Sequence, residues 1–292
     1  MTTSALKTVA AEAFDVPGKD GLRVRGDLYR PHNAVGSVIV CHGFKGFARW
    51  AFFPYLGRAL AASGLTAITF DFSGSGIGLD RENFTEAEAF ARSTFTRDLE
   101  DIELVEDYAR RMGWIKGKFG LFGHSRGGGM AILYTAAEGS NVNSLVTWAA
   151  ISYPNRWTRE DVNEWRKRGF TEITNSRTGQ VMRLETDLLE DVELHGKTKV
   201  NIEAAAAKVR VPWLILHGTA DETVPSTEAE SLHSKAKGVS TLRLIEGSGH
   251  TFEAKHPLEQ IPQSLEKVVK ETVNFFLRNA ANAPSAAVAS KK

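Results

Sequence analysis

The chain has 292 residues, of which 42% are apolar and 24% charged, and its formal net charge is +1. These values are typical of a globular protein with one large core, and we expect 1–278 to form a single domain. Because the charge is almost balanced, the chain lacks the clustered basic excess of a nucleic-acid-binding protein.

Cysteine content and the length of apolar runs limit the class of protein and its expected location. Cys41 is the only cysteine, which excludes an internal disulfide and a cysteine-based zinc site. The start of the chain lacks a secretory signal pattern. No apolar run approaches the roughly 18 residues that a membrane span needs. We therefore expect a cytoplasmic protein, with a disordered, alanine-rich tail over 279–292.

The predicted elements alternate between strand and helix. Two strands at 11–16 and 22–29 flank a glycine-containing turn and predict an antiparallel hairpin. Further strands are predicted at 35–41, 66–72, 119–122, 145–151, 213–216 and 241–245, and helices at 50–62, 95–112, 126–137, 227–235 and 261–278. This order predicts an α/β fold, with a mostly parallel central sheet and helices on both faces.

Two features refine this outline. The helix at 95–112 is amphipathic, and its predicted inner side comprises Leu99, Ile102, Val105, Tyr108 and Met112. The segment 153–209 has no clear strand–helix rhythm and is rich in charge. We interpret it as an inserted cap over the carboxyl edge of the sheet. Its aromatic residues Trp157, Trp165 and Phe170 either line a substrate pocket or form the core of the cap itself.

The strongest motif lies between the strand at 119–122 and the helix that follows it. Gly123, Ser125 and Gly127 form a Gly-x-Ser-x-Gly pattern in strand–turn–helix context. That context suits a nucleophilic serine on a tight turn, at a helix amino end that favours negative charge. The alternative is a glycine-rich turn that only packs a helix on a strand.

Two weaker signals follow later strands. Asp221 comes shortly after the strand at 213–216, with Glu222 as the second choice, and His250 lies on a glycine-rich loop after the strand at 241–245. Histidine supplies a general base because its pKa lies near neutrality. Each residue alone is most often a surface-loop residue, but the chain order serine, acid, histidine makes the three support one another.

A fourth motif supplies hydrogen-bond donors for a developing oxyanion. The strand at 35–41 is followed by His42, Gly43 and Phe44. We predict that the oxyanion hole consists of the backbone N–H groups of Arg126 and Phe44, with Lys45 a weaker alternative to Phe44.

These motifs together resemble the α/β-hydrolase superfamily, in the branch of small esterases related to dienelactone-hydrolase and prolyl-oligopeptidase catalytic domains. The resemblance extends from about residue 20 to 275 and also includes the run Asp71-Phe72-Ser73-Gly74-Ser75-Gly76. Two departures matter: the loop after the first parallel strand is His-Gly-Phe rather than His-Gly-Gly-Gly, and the nucleophile position holds serine rather than cysteine.

The resemblance implies a serine hydrolase that cleaves carboxylic esters through an acyl-enzyme, with a small-molecule ester as its partner and without cofactor or metal. Feruloyl or aryl ester, thioester, amide and peptide cleavage on the same triad stay open. The alternative outside enzymology is a non-catalytic binding protein, which usually lacks a triad residue. The sequence does not predict the oligomeric state.

Overall fold

An eight-stranded sheet runs through the computed structural model, which describes residues 9–281 with a gap at 176–177. The strands are β1 (Ala11–Pro17), β2 (Arg23–Tyr29), β3 (Gly36–Cys41), β4 (Leu65–Asp71), β5 (Phe119–His124), β6 (Val142–Trp148), β7 (Phe170–Thr174), β8 (Val181–Glu185), β9 (Trp213–Gly218) and β10 (Ser240–Ile245). Across the eight-stranded sheet the order is β1-β2-β4-β3-β5-β6-β9-β10.

The pairing within this sheet confirms the predicted fold class. β1 and β2 form the predicted antiparallel hairpin, and β2 also pairs antiparallel with β4. The other pairs of the sheet, from β4 through β3, β5, β6 and β9 to β10, are parallel. The carboxyl ends of the parallel strands therefore lie at one edge, where the motif residues were predicted to meet.

Helices cover both faces of the sheet because alternate strand residues point to opposite sides. The helices are α1 (Phe52–Ala62), α2 (Ala87–Ala91), α3 (Phe95–Arg111), α4 (Arg126–Ala136), α5 (Arg159–Arg168), α6 (Asp187–His195), α7 (Ile202–Ala206), α8 (Ser226–Lys235) and α9 (Gln263–Ala281). In β3, Val38 and Val40 pack with α1 and α9, whereas Ile39 and Cys41 belong to the core under α3 and α4.

Helix α3 shows how local signals set its limits. The Thr94 side chain accepts a hydrogen bond from the Arg97 N–H at 3.1 Å and caps the amino end. Ile102 and Val105 are fully buried as predicted, but the placement of Met112 on the inner side is wrong, since Met112 is 51% exposed. The helix ends at Arg111, and Met112 lies at its exposed end, where the left-handed Gly113 that follows turns the chain.

Strand β6 begins three residues before its predicted start and ends three before its predicted end. It ends at Trp148, because Ala149 takes a positive φ of 46° and leaves the strand conformation. Ile151 thus lies beyond the strand, at the carboxyl edge of the sheet. The last helix extends to Ala281, and the rest of the predicted tail, 282–292, lies outside the described residues.

The segment between β6 and β9 forms α5, the antiparallel hairpin β7–β8, α6 and α7. Hydrogen bonds tie it to the sheet domain. Asp191 of α6 accepts from the backbone N–H groups of Phe95 and Thr96, at 2.9 and 3.2 Å, and so caps α3 from outside. Glu228 of α8 accepts from Arg156 Nη1 at 2.9 Å. We call this segment, 153–209, the cap.

None of the helices in the described part of the chain is long and apolar enough to cross a membrane.

A buried ionic network holds the loop after β3 against the sheet. Asp27 of β2 accepts two hydrogen bonds from the Arg49 guanidinium, both at 2.9 Å, and one from Arg81 at 3.3 Å. Arg81 also contacts Asp71 at 2.7 Å, and Asp71 accepts from the Ala48 N–H at 2.6 Å. Because buried charges are costly without partners, these groups depend on one another.

We expect Asp27→Ala to lower the free energy of unfolding by about 3 kcal/mol or more, since it leaves the Arg49 guanidinium without its buried partner and removes one of the two carboxylates that Arg81 contacts. Urea denaturation measures this loss. The matched control is Glu12→Ala, which breaks the exposed pair between Glu12 and Arg30 and should cost less than about 1 kcal/mol. Equal losses in the two variants would contradict the central role of the network.

Candidate active site

Ser125 occupies a strained turn between β5 and α4. Its φ of 55° and ψ of −122° are unfavourable for a residue with a side chain. The flanking glycines allow this turn: a Cβ on Gly123 would lie 2.2 Å from the Gly127 carbonyl oxygen, and one on Gly127 would lie 2.2 Å from the His42 carbonyl oxygen. The Ser125 side chain consequently lines a cavity at the carboxyl edge of the sheet.

Asp221 and His250 meet on two loops at the same edge. His250 Nδ1 lies 2.8 Å from Asp221 Oδ2. The other carboxylate oxygen, Oδ1, accepts from the backbone N–H groups of Thr223 and Val224, both at 2.9 Å. Glu222, the second choice for the acid in the sequence analysis, is exposed to solvent. Asp221 is therefore held by backbone donors and presents its second oxygen to the imidazole.

The charge on Asp221 is stabilised by its surroundings. Burial alone raises the pKa of this carboxyl, but hydrogen bonds from His217, His250 and the Val224 amide outweigh it and bring the pKa well below its usual value. Asp221 thus stays ionised through the neutral range. Its contact with Nδ1 fixes the His250 tautomer that carries a proton there and leaves Nε2 free to accept one.

A close backbone approach brings the two loops together. A Cβ on Gly218 would lie 2.1 Å from the Ser248 carbonyl oxygen, so only glycine fits at the end of β9. The Ala220 N–H donates to the same carbonyl at 2.9 Å. This contact sets the separation of the acid loop and the histidine loop.

Ser125 and His250 line one cavity, but their side chains are not hydrogen-bonded in this structure. The Ser125 hydroxyl makes no hydrogen bond to any residue within the described ranges. Contacts between nucleophile and base often tighten only when substrate binds.

The predicted oxyanion donors face the same space. Phe44 and Arg126 both line the cavity beside Ser125, and neither backbone N–H donates a hydrogen bond to another described residue. The Lys45 N–H, the weaker alternative, likewise donates to no described residue, and Lys45 also lines the cavity. Two free donors next to a serine suit the binding of an oxyanion.

Two buried histidines surround these groups. His124 Nε2 contacts the His250 carbonyl oxygen at 3.0 Å, and burial lowers the pKa of His124 to about 3, so its ring is neutral. His42 accepts from the Phe72 N–H at 3.0 Å through Nε2 and donates through Nδ1 to the Gly43 carbonyl at 2.8 Å. Both histidines therefore hold backbone groups of the site in place.

An ion pair lies behind the oxyanion donors. The Arg126 side chain contacts Asp98 of α3 at 2.7 Å and lies over the Phe95 ring, 4.1 Å from its centroid. Burial raises the pKa of Asp98 to about 6, although Arg126 opposes the shift. This contact fixes the first residue of α4, whose N–H is one of the two predicted oxyanion donors.

The cavity has a volume of about 700 Å³ and lies between the sheet edge and the cap. Of the three cap aromatics, Trp157 lines it. Trp165 and Phe170 are not among its lining residues, so of the two alternatives for the cap aromatics the pocket role does not apply to them. Trp165 is 1% exposed and packs beneath Trp157, with ring centroids 5.0 Å apart. Phe170 lies between the guanidinium groups of Arg168 and Arg183 on the cap hairpin.

Sequence reasoning missed most of the apolar wall. The missed residues come from five separate stretches: Trp50 and Phe53 near α1, Phe95 at the start of α3, Ile151 after β6, Leu184 and Leu188 in the cap, and Val224 after β9. No local pattern joins them, since the tertiary fold alone brings them together. Their only sequence signal was a position shortly before or after a predicted element.

No group of three or more histidine, cysteine, aspartate or glutamate side chains that could hold a metal ion occurs within 9–175 and 178–281. The polar groups at the site are a hydroxyl, an imidazole, a carboxylate and backbone amides. They form the set used in nucleophilic catalysis.

A sequence model of the alpha/beta hydrolase family matches residues 38–261, which is more than half of the chain. The chain belongs to the alpha/beta hydrolase family. Family membership supports an acyl hydrolase and confirms the predicted superfamily. No curated protein sequence matches the chain.

Solved structures of other α/β-hydrolases share the fold. Est1E from Butyrivibrio proteoclasticus aligns with a TM-score of 0.66 and 20% identity, over 92% of this chain and 99% of its own. The alpha/beta hydrolase GrgF from Penicillium sp. sh18 gives 0.72 and 15%, over 94% and 100%. The Pyrococcus horikoshii acylaminoacyl peptidase gives 0.69 and 18%, over 95% of this chain and 43% of its own. At these identities the likeness shows the fold alone.

The turn of this α/β-hydrolase is open to a direct test. Gly127→Ala places a Cβ 2.2 Å from a backbone oxygen, so we expect a loss of roughly 3 kcal/mol in the free energy of unfolding. Gly249→Ala is the control, because a Cβ there meets no atom within 4 Å. Thermal and urea unfolding of both variants check this. A Gly127→Ala protein as stable as Gly249→Ala would contradict the close approach.

Proposed function

We propose that this protein is a serine hydrolase that cleaves carboxylic esters. In this proposal His250 Nε2 takes the proton of Ser125 Oγ as the oxygen attacks the ester carbonyl. The N–H groups of Phe44 and Arg126 bind the oxyanion. The alcohol leaves with the proton from His250, and an acyl-enzyme remains.

The second half repeats the chemistry with water. His250 accepts a proton from water, which attacks the acyl carbonyl and releases the carboxylic acid. Asp221 stabilises the imidazolium that forms in each half, because the carboxylate is ionised and hydrogen-bonded to Nδ1. No metal or cofactor takes part in these steps.

One observation carries the proposal. An ionised acid lies 2.8 Å from an imidazole whose ring shares a cavity with a serine on a strained turn. A binding protein has no use for this arrangement, since the strained turn costs stability and adds no contact. The complete set of three groups thus favours an enzyme over a non-catalytic binding protein.

Aryl esters form a second candidate class within this activity. Trp50, Phe53 and Trp157 contribute aromatic surface to the cavity, and aromatic walls suit a flat ring. One solved structure of similar fold is Est1E with ferulic acid bound, at 21% identity and a TM-score of 0.67. Thioesters, amides and peptides stay as alternatives on the same triad.

Covalent labelling tests the nucleophile. A fluorophosphonate probe should label the wild-type protein at Ser125, and Ser125→Ala should abolish labelling and lower ester turnover by about 10⁴-fold or more. Intact-protein mass spectrometry and hydrolysis of short acyl esters measure the two effects. Circular dichroism of Ser125→Ala checks that the fold persists. Wild-type turnover in a folded Ser125→Ala protein would refute the proposal.

Neighbouring acids allow a matched test of the triad. Asp221→Asn should lower kcat/KM by about 10³- to 10⁴-fold, because an amide no longer stabilises the imidazolium. Glu222→Gln, at the exposed next position, should change kcat/KM less than about twofold. The reverse result would mean that the acid is assigned one residue too early.

The cap aromatics predict selectivity. Trp157→Ala removes a cavity wall and should change the preference among short alkyl, long alkyl and aryl esters by roughly 10- to 200-fold. Phe170→Ala, outside the cavity, is the control and should leave the ranking unchanged. Measuring kcat/KM beside Tm separates these effects from destabilisation, which should be largest for Trp165→Ala. An unchanged ranking in Trp157→Ala would contradict a pocket role.

A further inference from the structure

The charged residues that line the cavity are all of one sign. Lys45, Arg126, Arg156 and Lys255 contribute to its wall, whereas none of the described lining residues is Asp or Glu. A cleft with charge of one sign and apolar walls raises the local concentration of ligands of opposite charge. A cation of the wall can bind a substrate anion only if no protein carboxylate already neutralises it.

Two of the four are neutralised by partners outside the cavity. Arg126 contacts Asp98 at 2.7 Å, and both side chains are buried. Arg156 contacts Glu228 of α8 through Nη1, at 2.9 and 3.1 Å from the two carboxylate oxygens. These guanidinium groups therefore serve the attachment of α4 and of the cap.

Lys45 and Lys255 have no such partner. Neither ammonium group forms an ion pair or a hydrogen bond with a residue in the described ranges. Lys45 also adopts a φ of 58°, in the left-handed region that favours glycine or asparagine.

The two lysines lie on loops that contact each other. The loop after Lys45 and the loop that carries Lys255 are joined by a hydrogen bond from the Ala51 N–H to His256 Nδ1 at 2.9 Å. The Trp50 and His256 rings also stack, with centroids 6.4 Å apart. Lys45 and Lys255 therefore belong to two loops that are in contact beside the cavity.

The cap supplies the opposite character. Its residues Trp157, Ile173, Leu184 and Leu188 present apolar side chains to the cavity. A substrate held here meets an apolar wall from the cap and two positive charges from the loops of the sheet domain. The two walls suit two chemically different parts of one molecule.

The direction of the reaction assigns these parts. The leaving alcohol receives its proton from His250, so the alcohol part lies on the side of the His250 loop. Lys255 lies five positions further along the same stretch, and its loop contacts the loop that follows Lys45, so we take both lysines to lie on the alcohol side. The acyl part then faces the apolar residues of the cap.

We propose, resting on the ester hydrolysis argued above, that the preferred substrates carry a carboxylate on the alcohol part and an apolar acyl group, and that Lys45 and Lys255 bind this carboxylate. Hydrolysis breaks the bond between the acyl carbon and the alcohol oxygen. The oxygen takes the proton from His250, and water supplies the hydroxyl of the released acid. The carboxylate on the alcohol part takes no part in these steps, and it leaves together with the new hydroxyl group as a hydroxy acid.

A matched pair of esters tests the charge preference. The anionic probe is para-(carboxymethyl)phenyl butanoate, and the neutral probe is its primary amide, which has nearly the same shape and leaving group. We expect wild-type kcat/KM to favour the anionic probe by about tenfold or more. Raising the ionic strength from about 0.02 to 0.5 M should reduce this ratio, since salt screens exposed charges.

Variants locate the charges responsible. Lys45→Gln and Lys255→Gln should each lower the anionic-to-neutral ratio by roughly three- to fivefold, and the double variant should bring it near one. Lys255→Glu, at an exposed position that tolerates substitution, should lower the ratio below that of Lys255→Gln. Lys208→Gln, whose exposed side chain lies outside this cavity, is the matched control and should leave the ratio unchanged.

A reversed pair tests the orientation. The monophenyl ester of adipic acid carries its carboxylate on the acyl part, and its amide is the neutral comparison. A preference for this anion instead would overturn the proposal, and so would a wild-type ratio near one for the first pair while the neutral ester is hydrolysed and Ser125 is labelled. Absence of both labelling and neutral-ester hydrolysis would overturn the proposed function itself.

Discussion

Ser125 adopts a backbone conformation that the chain tolerates only because two glycines flank it. Gly127 passes so close to the His42 carbonyl oxygen that any side chain would overlap it. This approach joins the end of β3 to the start of α4, and therefore sets the oxyanion loop beside the serine. The arrangement of the hydroxyl and the Phe44 N–H is a consequence of that one contact between backbones.

The acid and the histidine depend on a second close approach, at Gly218, which is independent of the first. Asp221 receives two backbone hydrogen bonds on the oxygen that does not face His250. Its orientation is thus fixed by its own loop and does not rely on the imidazole. Two units, each built on one strand end and one glycine, meet across the cavity that Ser125 and His250 line.

The sheet and the three motif residues could be predicted because their signals are local. Strand ends, glycines and chain order are visible within a few residues, and parallel strands bring their carboxyl ends to one edge. The cap could not be resolved, since its strands have five residues each and its pattern does not tell a wall from a core. Trp157, Trp165 and Phe170 look alike in sequence, yet only Trp157 lines the cavity. The prediction that Met112 lies on the inner side of its helix was wrong because helix periodicity does not reveal where the helix ends.

The cap enters and leaves between two strands that pair directly with each other. β6 and β9 keep their parallel register from Leu145 opposite Trp213 to Trp148 opposite Leu216, whatever lies between them. Lengthening a surface connection costs little free energy, since the entropy of loop closure grows slowly with length. We therefore expect this segment to diverge faster among homologues than the strands on either side, and to be exchangeable as a unit, so that new specificities can arise on an unchanged catalytic frame.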